Sequence, residues 1–311
     1  MAIDQVTKKA LAAGRQQAKE VLEFRNKALK MRKSALKKKT RLHVRPEAAV
    51  IDAKLVQAAG GTGSAGVLVA EGDSWFDYPW NDVLSLLEDY HGYDVSSVAH
   101  RGDRVEHMAY NGGQLEEFTR TLEKLLRGNV IPKAILFSGG GNDVAGDEFG
   151  MLLNHHDSAI AGLNDPIVEG VIDRIRMAYL TILSAVTHVI EERIKQRIPI
   201  LVHGYDYPVA DGRGFLGGLG PLPGPWLEPG FRDKGYSQLP ERIAIAKKLI
   251  DRFNDMLKKT VSIPELSHAT YVDLRNTLSN ASDYKKWWAN ELHPTPEGFK
   301  RVAAKFVGVI R

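Results

Sequence analysis

Short apolar runs alternate with longer helix-forming segments through most of this chain, and that alternation constrains its fold more than any other feature. Strands are predicted at residues 67–70, 94–99, 133–138, 200–202 and 270–272. Helices are predicted between and after them, at 82–90, 114–126, 166–197, 241–259 and 296–309. Strands that alternate with helices form a parallel sheet covered on both faces. The sequence therefore predicts a flavodoxin-like three-layer α/β/α sandwich around a five-stranded parallel sheet.

The N-terminal segment differs from the rest of the chain in charge. Residues 1–45 contain fourteen Lys or Arg and three acidic residues, a net charge of +11, which leaves −7 for the remainder. Residues 5–39 lack proline and are rich in Ala, Lys, Arg, Gln and Leu, which predicts one long helix. We interpret it as a solvated helix with one apolar edge packed on the body or on a neighbour. A contact between its basic face and a membrane surface or another anionic partner is the alternative, and no specific nucleic-acid binding is expected of the acidic body.

Cellular compartment is inferred from the absence of export and membrane signals. No run approaches eighteen uninterrupted apolar residues, and the N-terminus lacks the apolar core and cleavage site of a secretory signal. We therefore expect a cytoplasmic protein, with non-classical export left open. The chain has no cysteine, which excludes disulfides, thiol nucleophiles and thiolate metal ligands. The sequence does not indicate an oligomeric state.

Two segments interrupt the alternation, at about 146–164 and about 204–235. The first contains His155, His156 and Asp157, but adjacent histidines are a poor chelate without further ligands at defined spacing, so no metal is expected. The second is rich in glycine and proline and carries large apolar side chains, namely Phe215, Leu219, Leu222, Trp226 and Phe231. A long ordered loop with exposed aromatics is more often a lid or binding loop than a linker.

Residues suited to acyl transfer follow the predicted strands. Ser74 ends a Gly-Asp-Ser motif after the first strand, and we expect it near the first turn of a helix, where unpaired N–H groups add positive potential. Gly102 follows the second strand, where a glycine lets a backbone N–H approach a site. Asn142 follows the third strand, and His293 lies between the fifth strand and the last helix. Acyl transfer needs a nucleophile, a base and oxyanion donors, and this set provides each of them.

Together these blocks resemble the SGNH, or GDSL, hydrolase family. The match rests on the GDS motif at 72–74, on Gly102, on the Gly-Gly-Asn-Asp block at 140–143 and on Asn-Glu-Leu-His-Pro at 290–294. The Gly-x-Ser-x-Gly marker of α/β-hydrolases does not occur in the sequence. The resemblance implies that Ser74 is the nucleophile and His293 the general base. It also implies an oxyanion hole made by the N–H groups of Ser74 and Gly102 and the amide of Asn142. We expect supporting roles for Asp73 and Asp143, which belong to the same motif blocks, and for Glu291, which stands close to the histidine in the sequence.

The resemblance covers roughly residues 67–311. We accordingly divide the chain into a basic helical leader and linker, residues 1–60, and an SGNH hydrolase domain, residues 61–311, which contains both insertions.

One position departs from the family pattern. In the family an aspartate three residues before the histidine orients the imidazole, and here that position is Asn290. An asparagine oxygen accepts the imidazole N–H and fixes its tautomer, but it brings no negative charge. We expect a Ser74–His293 dyad assisted by Asn290, with Glu291 or a backbone carbonyl as the alternative orienting groups.

The function predicted from this resemblance is a serine ester hydrolase of carboxylesterase or lipase type that needs no cofactor. Small acyl esters, O-acetylated carbohydrates and lysophospholipids all remain candidate substrates. A catalytically weak binding or scaffold protein on the SGNH fold is the alternative, because Asn290 weakens the triad. A metal-dependent phosphoesterase is a third reading, and it would require His155 and His156 to converge with carboxylates.

Overall fold

The structure is a computed structural model, and it describes residues 3–39, 63–111, 113–146, 148–217 and 222–310. Its strands are β1 (Gly66–Glu71), β2 (Tyr93–Ser97), β3 (Ala134–Phe137), β4 (Leu153–Asn154), β5 (Gly162–Leu163), β6 (Ile200–His203) and β7 (Ala269–Val272). The main sheet has the order β2-β1-β3-β6-β7, and all its pairings are parallel. Strands β4 and β5 form a separate antiparallel ribbon. The predicted five-stranded parallel sheet is confirmed.

The helices within the described residues are α1 (Gln5–Lys39), α2 (Val83–His91), α3 (Val105–Tyr110), α4 (Gln114–Arg127), α5 (Gly141–Val144), α6 (Asp165–Ile194), α7 (Glu228–Asp233), α8 (Leu239–Val261) and α9 (Pro296–Val307). Every predicted helix is present. Helix α6 ends three residues earlier than predicted, where Lys195 takes a left-handed conformation. The sequence pattern missed α3, α5 and α7, because helices of four to six residues are too short to show a helical period.

The sheet is buried because helices cover both of its faces. All four residues of β3 and of β6 are buried. Helix α6 packs between α4 and α8, and α2 packs against α9. On one face, the ring of Phe137 meets the edge of Tyr179 at 5.0 Å, and the Tyr179 hydroxyl donates to the carbonyl of Gly139 at 2.7 Å. The loop after β3 is thereby held by the helix beneath it.

The predicted N-terminal helix is confirmed, and it packs along α6. Small residues of α1 face α6, and a Cβ at Gly14 would overlap the carbonyl oxygen of Thr181. Glycine therefore permits this close approach of the two helix backbones. The Ser184 hydroxyl donates to the carbonyl of Leu11 at 2.6 Å, and the buried Ala18 completes the contact. Residues 40–60 of the predicted linker lie outside the described residues.

A buried ion cluster also fixes α1 to the body. The carboxylate of Glu123, on α4, is fully buried, and it pairs with Arg25 of α1 at 3.2 Å and with Arg193 of α6 at 2.9 Å. Three helices thus share one buried charge, and removing a single partner of such a cluster costs more than removing an exposed ion pair. None of the helices in the described part of the chain is both long and apolar enough to cross a bilayer.

Candidate active site

Ser74 lies in a tight turn at the carboxyl end of β1. In the sheet, β2 lies on one side of β1 and β3 on the other. The carbonyl of Asp73 accepts the N–H groups of Phe76 at 3.0 Å and Asp77 at 3.1 Å. Helix α2 begins only at Val83, so the expectation that Ser74 lies near the first turn of a helix is wrong. The turn after β1 does not continue as a helix; Trp75 and Phe76 enter the core, and Tyr78 lines the cleft.

The buried carboxylate of Asp73 fixes this turn from below. One oxygen accepts the N–H of Trp75 at 3.0 Å and the hydroxyl of Ser138 at 2.8 Å. The other accepts the hydroxyl of Tyr205, which itself accepts the N–H of Gly141 at 3.2 Å. Asp73 therefore links the loops that follow β1, β3 and β6, and Ser74 is carried on a rigid base.

The imidazole of His293 faces Ser74 across the cleft. The Ser74 Oγ and the His293 Nε2 lie 2.7 Å apart, and the opposite ring nitrogen, Nδ1, lies 3.0 Å from the Oδ1 of Asn290. That same Oδ1 accepts the backbone N–H groups of Leu292 at 3.0 Å and His293 at 2.9 Å. Because both backbone groups are donors, the amide orientation of Asn290 is determined, and Nδ1 must carry the ring proton. Nε2 then has its lone pair directed at the serine hydroxyl.

Aromatic rings enclose the histidine. Tyr78 stacks on the imidazole with ring centroids 4.3 Å apart, and Trp226 meets it edge-on at 5.4 Å. The amide nitrogen of Asn290 donates to the Tyr78 hydroxyl at 3.1 Å. Burial lowers the pKa of His293 to about 3, because the site solvates the imidazolium poorly. The ring is therefore neutral at physiological pH and able to accept a proton.

Gly102 and Asn142 line the same cleft as Ser74. Gly102 has a φ of +87°, which a glycine adopts without strain. The amide nitrogen of Asn142 donates one hydrogen to the carbonyl of Asp103 at 2.9 Å, and this leaves its second hydrogen for another acceptor. The three predicted oxyanion donors are thus brought to one place.

Asp143 supports the loop that carries Gly102. Its carboxylate accepts the N–H groups of Val105 at 2.9 Å and Glu106 at 3.4 Å, at the start of α3. Burial raises the pKa of Asp143 to about 6. The side chain therefore joins the third block of the motif to the second, at a distance from the reacting atoms.

Glu291 does not face the imidazole. One carboxylate oxygen accepts the N–H groups of Gly212 at 3.0 Å and Glu228 at 3.0 Å, and the other accepts those of Trp226 at 2.6 Å and Leu227 at 2.7 Å. These groups lie near the two ends of the second insertion. Asn290, and not Glu291, occupies the orienting position, while Glu291 closes the loop that places Trp226 against the histidine.

The first insertion forms the ribbon of β4 and β5. His156 lies 2.8 Å from Asp157 and 3.7 Å from Glu241 on α8. Within the described ranges, no group of three or more His, Asp or Glu side chains is arranged to hold a metal ion. The convergence that a metal-dependent phosphoesterase would need is not seen around His155 and His156.

Comparison with known proteins gives a likeness in structure and none in sequence. No protein-family model and no curated protein matches the chain. Among solved structures, the lipase Lip_vut3 from a goat rumen metagenome matches with 14% identity over 78% of this chain and 97% of that one, at a TM-score of 0.50. A candidate SGNH hydrolase from Slackia heliotrinireducens matches with 13% identity over 80% and 100% of the two chains, at 0.45.

A member of a carbohydrate acetylesterase family from Sinorhizobium meliloti matches with 13% identity over 79% of this chain and 97% of that one, at a TM-score of 0.41. The chain shares the three-layer α/β/α fold of the lipase Lip_vut3. At such low identity the likeness extends to the fold alone, and the roles of individual residues must be argued from the geometry above.

Several residues of the site escaped the sequence motifs. Tyr205 lies just after β6, and its position at the carboxyl end of a predicted strand was the available signal. Tyr78 lies in the aromatic run that follows Ser74, and Trp226 lies in the second insertion, and neither position indicated a contact with the histidine. Arg213 carries no motif, although its guanidinium donates to the carbonyls of Trp288 at 2.9 Å and Ala289 at 3.0 Å and so holds the histidine loop.

Proposed function

We propose that the protein is a serine ester hydrolase. The observation that carries this proposal is the 2.7 Å separation between the Ser74 Oγ and the His293 Nε2, with Asn290 on the far side of the imidazole. A hydroxyl within hydrogen-bond reach of a neutral, oriented imidazole is the arrangement that activates a serine nucleophile. The fold adds support, because the lipase Lip_vut3 shares it.

In the proposed reaction, Ser74 attacks the ester carbonyl while His293 takes the hydroxyl proton at Nε2. The N–H groups of Ser74 and Gly102 and the free amide hydrogen of Asn142 stabilise the negative charge on the carbonyl oxygen. His293 then gives its proton to the leaving alkoxide, and an acyl group remains on Ser74. Water, activated by the same imidazole, releases the acid and restores the serine. No cofactor takes part in this scheme.

The Tyr78 ring that stacks on His293 can partly replace the aspartate that the family has at the position of Asn290. When His293 takes the serine proton it becomes a cation, and Asn290 offers that cation no negative charge. The face of an aromatic ring attracts a cation, by about 0.5–2 kcal/mol, and the Tyr78 face lies 4.3 Å from the imidazole centroid. Tyr78 would therefore recover part of the stabilisation that an aspartate supplies.

The space beside Ser74 favours a short acyl group. A narrow apolar cavity of about 50 Å³ opens at Ser74 and is bounded by Trp75, Phe149 and Leu249. This cavity is much smaller than the second space beside Ser74, so it suits the smaller part of an ester. A wider cleft of about 360 Å³, lined by Gly102 and His293 among others, leads from the same serine to solvent. We assign the narrow cavity to the acyl group and the cleft to the leaving alcohol.

The decisive experiment compares wild type with Ser74→Ala on an aryl acetate and with a fluorophosphonate probe. We expect wild type to turn over the ester and to be labelled at Ser74, and the variant to lose about 10⁶ in kcat, which is the loss that removal of the nucleophile causes in a serine protease. Equal rates for the two proteins would refute the proposal. A wild type that neither turns over the ester nor takes the probe would favour the catalytically weak binding or scaffold protein instead.

A further inference from the structure

A row of aromatic rings leads from the imidazole of His293 to the protein surface. Tyr78 stacks on His293 at 4.3 Å, Phe215 meets the edge of Tyr78 at 5.8 Å, and Trp80 stacks on Phe215 at 6.2 Å with an angle of 13° between the rings. Tyr78 and Phe215 line the cleft that opens at Ser74. Those two rings therefore bound the path that a leaving group would follow, and Trp80 extends the row from Phe215 towards solvent.

Trp80, at the outer end of this row, is unusual in two ways. Its side chain is 77% exposed, whereas large aromatic side chains are mostly buried in a folded protein. Its backbone has a φ of 69°, in the left-handed region that a bulky residue adopts only at a cost in free energy. Backbone strain of this kind concentrates at binding and catalytic sites. An indole held in solvent at such a cost suggests a ligand that covers it.

The lining of the cleft also includes a charged side chain. Arg101 lines the cleft next to Gly102, and its Nε lies 3.4 Å from the Oδ2 of Asp77. Asp77 also accepts the backbone N–H of Arg101 at 3.0 Å. The two side chains remain 63% and 39% exposed, so both can form further hydrogen bonds. The cleft thus combines aromatic rings with the guanidinium of Arg101, and Asp77 holds that guanidinium from outside the lining.

A polyhydroxylated ring combines the two properties that this cleft requires. Its C–H faces are apolar and pack against aromatic rings, while its hydroxyls both donate and accept at the edge. A long aliphatic chain in the cleft would form no hydrogen bond with Arg101 or Asp77. His293 protonates the leaving alkoxide in the reaction proposed above, so the leaving alcohol must lie beside the imidazole, where the row of rings begins.

We propose that Tyr78, Phe215 and Trp80, together with Arg101 and Asp77, form a subsite for a sugar ring, and that the substrate is a short-chain acyl ester of a carbohydrate. This inference rests on the proposed ester hydrolase function, and it adds the identity of the alcohol and the residues that select it.

The test compares kcat/KM for two esters with the same acyl group, an acetylated methyl xyloside and ethyl acetate, using the full chain. We expect wild type to prefer the sugar acetate by at least about tenfold. Trp80→Gly removes the ring and also relieves the backbone strain, so the variant should fold. Its preference for the sugar acetate should fall about five- to tenfold, as expected for the loss of one aromatic contact, whereas Trp80→Phe should keep most of it. Tyr90→Ala, which removes another exposed aromatic ring, is the matched control and should leave the preference unchanged.

The outcomes separate this inference from the hydrolase proposal. Ester turnover without a sugar preference, or with octyl or phenyl acetate preferred to the sugar acetate, would overturn the subsite and leave the hydrolase intact. An equal fall of both rates in Trp80→Gly would show a purely structural role for Trp80 and would also overturn it. If no ester is hydrolysed, saturation-transfer NMR of Ser74→Ala with methyl xyloside still reports on the subsite, where transfer that depends on Trp80 supports it and the absence of transfer refutes it.

Discussion

The Oδ1 of Asn290 accepts three N–H groups at once, those of Leu292 and His293 in the backbone and that of the His293 imidazole at 3.0 Å. An aspartate accepts the same three groups and adds a negative charge. The nitrogen of Asn290 donates to the hydroxyl of Tyr78, and that hydroxyl can turn and donate to an aspartate instead. An aspartate at position 290 would therefore fit the site without a change in its hydrogen-bond partners.

Asn290→Asp should accordingly raise activity. The new charge stabilises the imidazolium that forms when Ser74 attacks, so we expect kcat on an aryl acetate to rise at least about tenfold, which is well within the ~10⁴ that the reverse change costs a serine protease. The pKa of His293 should rise in the same variant, as followed by NMR of the imidazole protons. A lower kcat in Asn290→Asp would mean that the imidazolium is not rate-determining or that Asn290 does not orient the ring.

The activity should fall only at unusually low pH on the acid side of the pH–rate profile. Burial lowers the pKa of His293 to about 3, so the base stays deprotonated well below the ordinary histidine pKa of about 6.5. We expect kcat/KM, which reports the free enzyme, to stay level from pH 8 to about pH 5. The fall in activity should move to higher pH in Asn290→Asp. A fall centred near pH 6.5 in wild type would show that His293 is solvated.

The same lowered pKa affects stability. Between about pH 3 and pH 6.5 the unfolded histidine binds a proton that the folded one refuses, so the unfolded state gains stability as the pH falls through this window. The free energy of unfolding should therefore decrease from pH 7 towards pH 4, and the decrease should be smaller in His293→Phe. Urea titrations of both proteins at several pH values give the free energy of unfolding as a function of pH. The same pH dependence in the two proteins would contradict a lowered pKa of His293.

Leu249→Ala should widen the acyl cavity. We expect the ratio of kcat/KM for a hexanoate to that for an acetate to rise about tenfold, because each buried methylene contributes about 0.8 kcal/mol. The truncation of a buried leucine also costs stability, about 2–5 kcal/mol. Leu257→Ala, on the same helix but away from the cavity, should cost similar stability and leave the ratio unchanged. If both variants shift the ratio alike, the cavity does not bind the acyl group.

Glu291→Gln should loosen the second insertion. Four backbone N–H groups share this carboxylate, and an amide offers only one oxygen to them, so at least one buried donor loses its partner at a cost of about 1–3 kcal/mol. We expect faster proteolysis between Gly212 and Glu228, together with a lower kcat. Glu297→Gln, in an exposed position on α9, is the control. Unchanged proteolysis would show that the loop is held by other contacts.

Gly14→Leu should weaken the docking of α1. The added side chain overlaps the backbone of Thr181, and overpacking of this kind costs about 1–3 kcal/mol. Ala13→Leu, one residue earlier and exposed, should have almost no effect on the melting temperature. Equal melting temperatures for the two variants would indicate that α1 does not pack on α6.

The sequence predicted the fold better than the details of the site, for physical reasons. Strand β3 was predictable because all four of its residues are apolar and buried, and α6 because its apolar residues follow one helical period. Ser74, His293 and Asn290 were recognised from short motifs, since each lies in a loop whose residue types are restricted. Their distances and hydrogen-bond partners were not predictable, because they depend on how separate loops meet at the edge of the sheet.

Glu291 shows why contacts between distant parts of the chain could not be predicted from the sequence. In the sequence it stands beside the histidine and is a plausible partner for it, yet its carboxylate points away towards Gly212 and Trp226. Those residues are more than sixty positions earlier in the chain, so no local pattern could have indicated the contact. The roles of Tyr205 and Trp226 were hidden for the same reason.

The docking of α1 through Gly14 and Glu123 has an electrostatic consequence. The most basic part of the chain is held in a fixed position on a body of opposite net charge, so the molecule carries a permanent electric dipole. Near a charged surface we expect the molecule to turn the side that bears α1 towards negative potential. The helix would then influence the direction from which the cleft approaches that surface, although no α1 residue is among those that line the cleft.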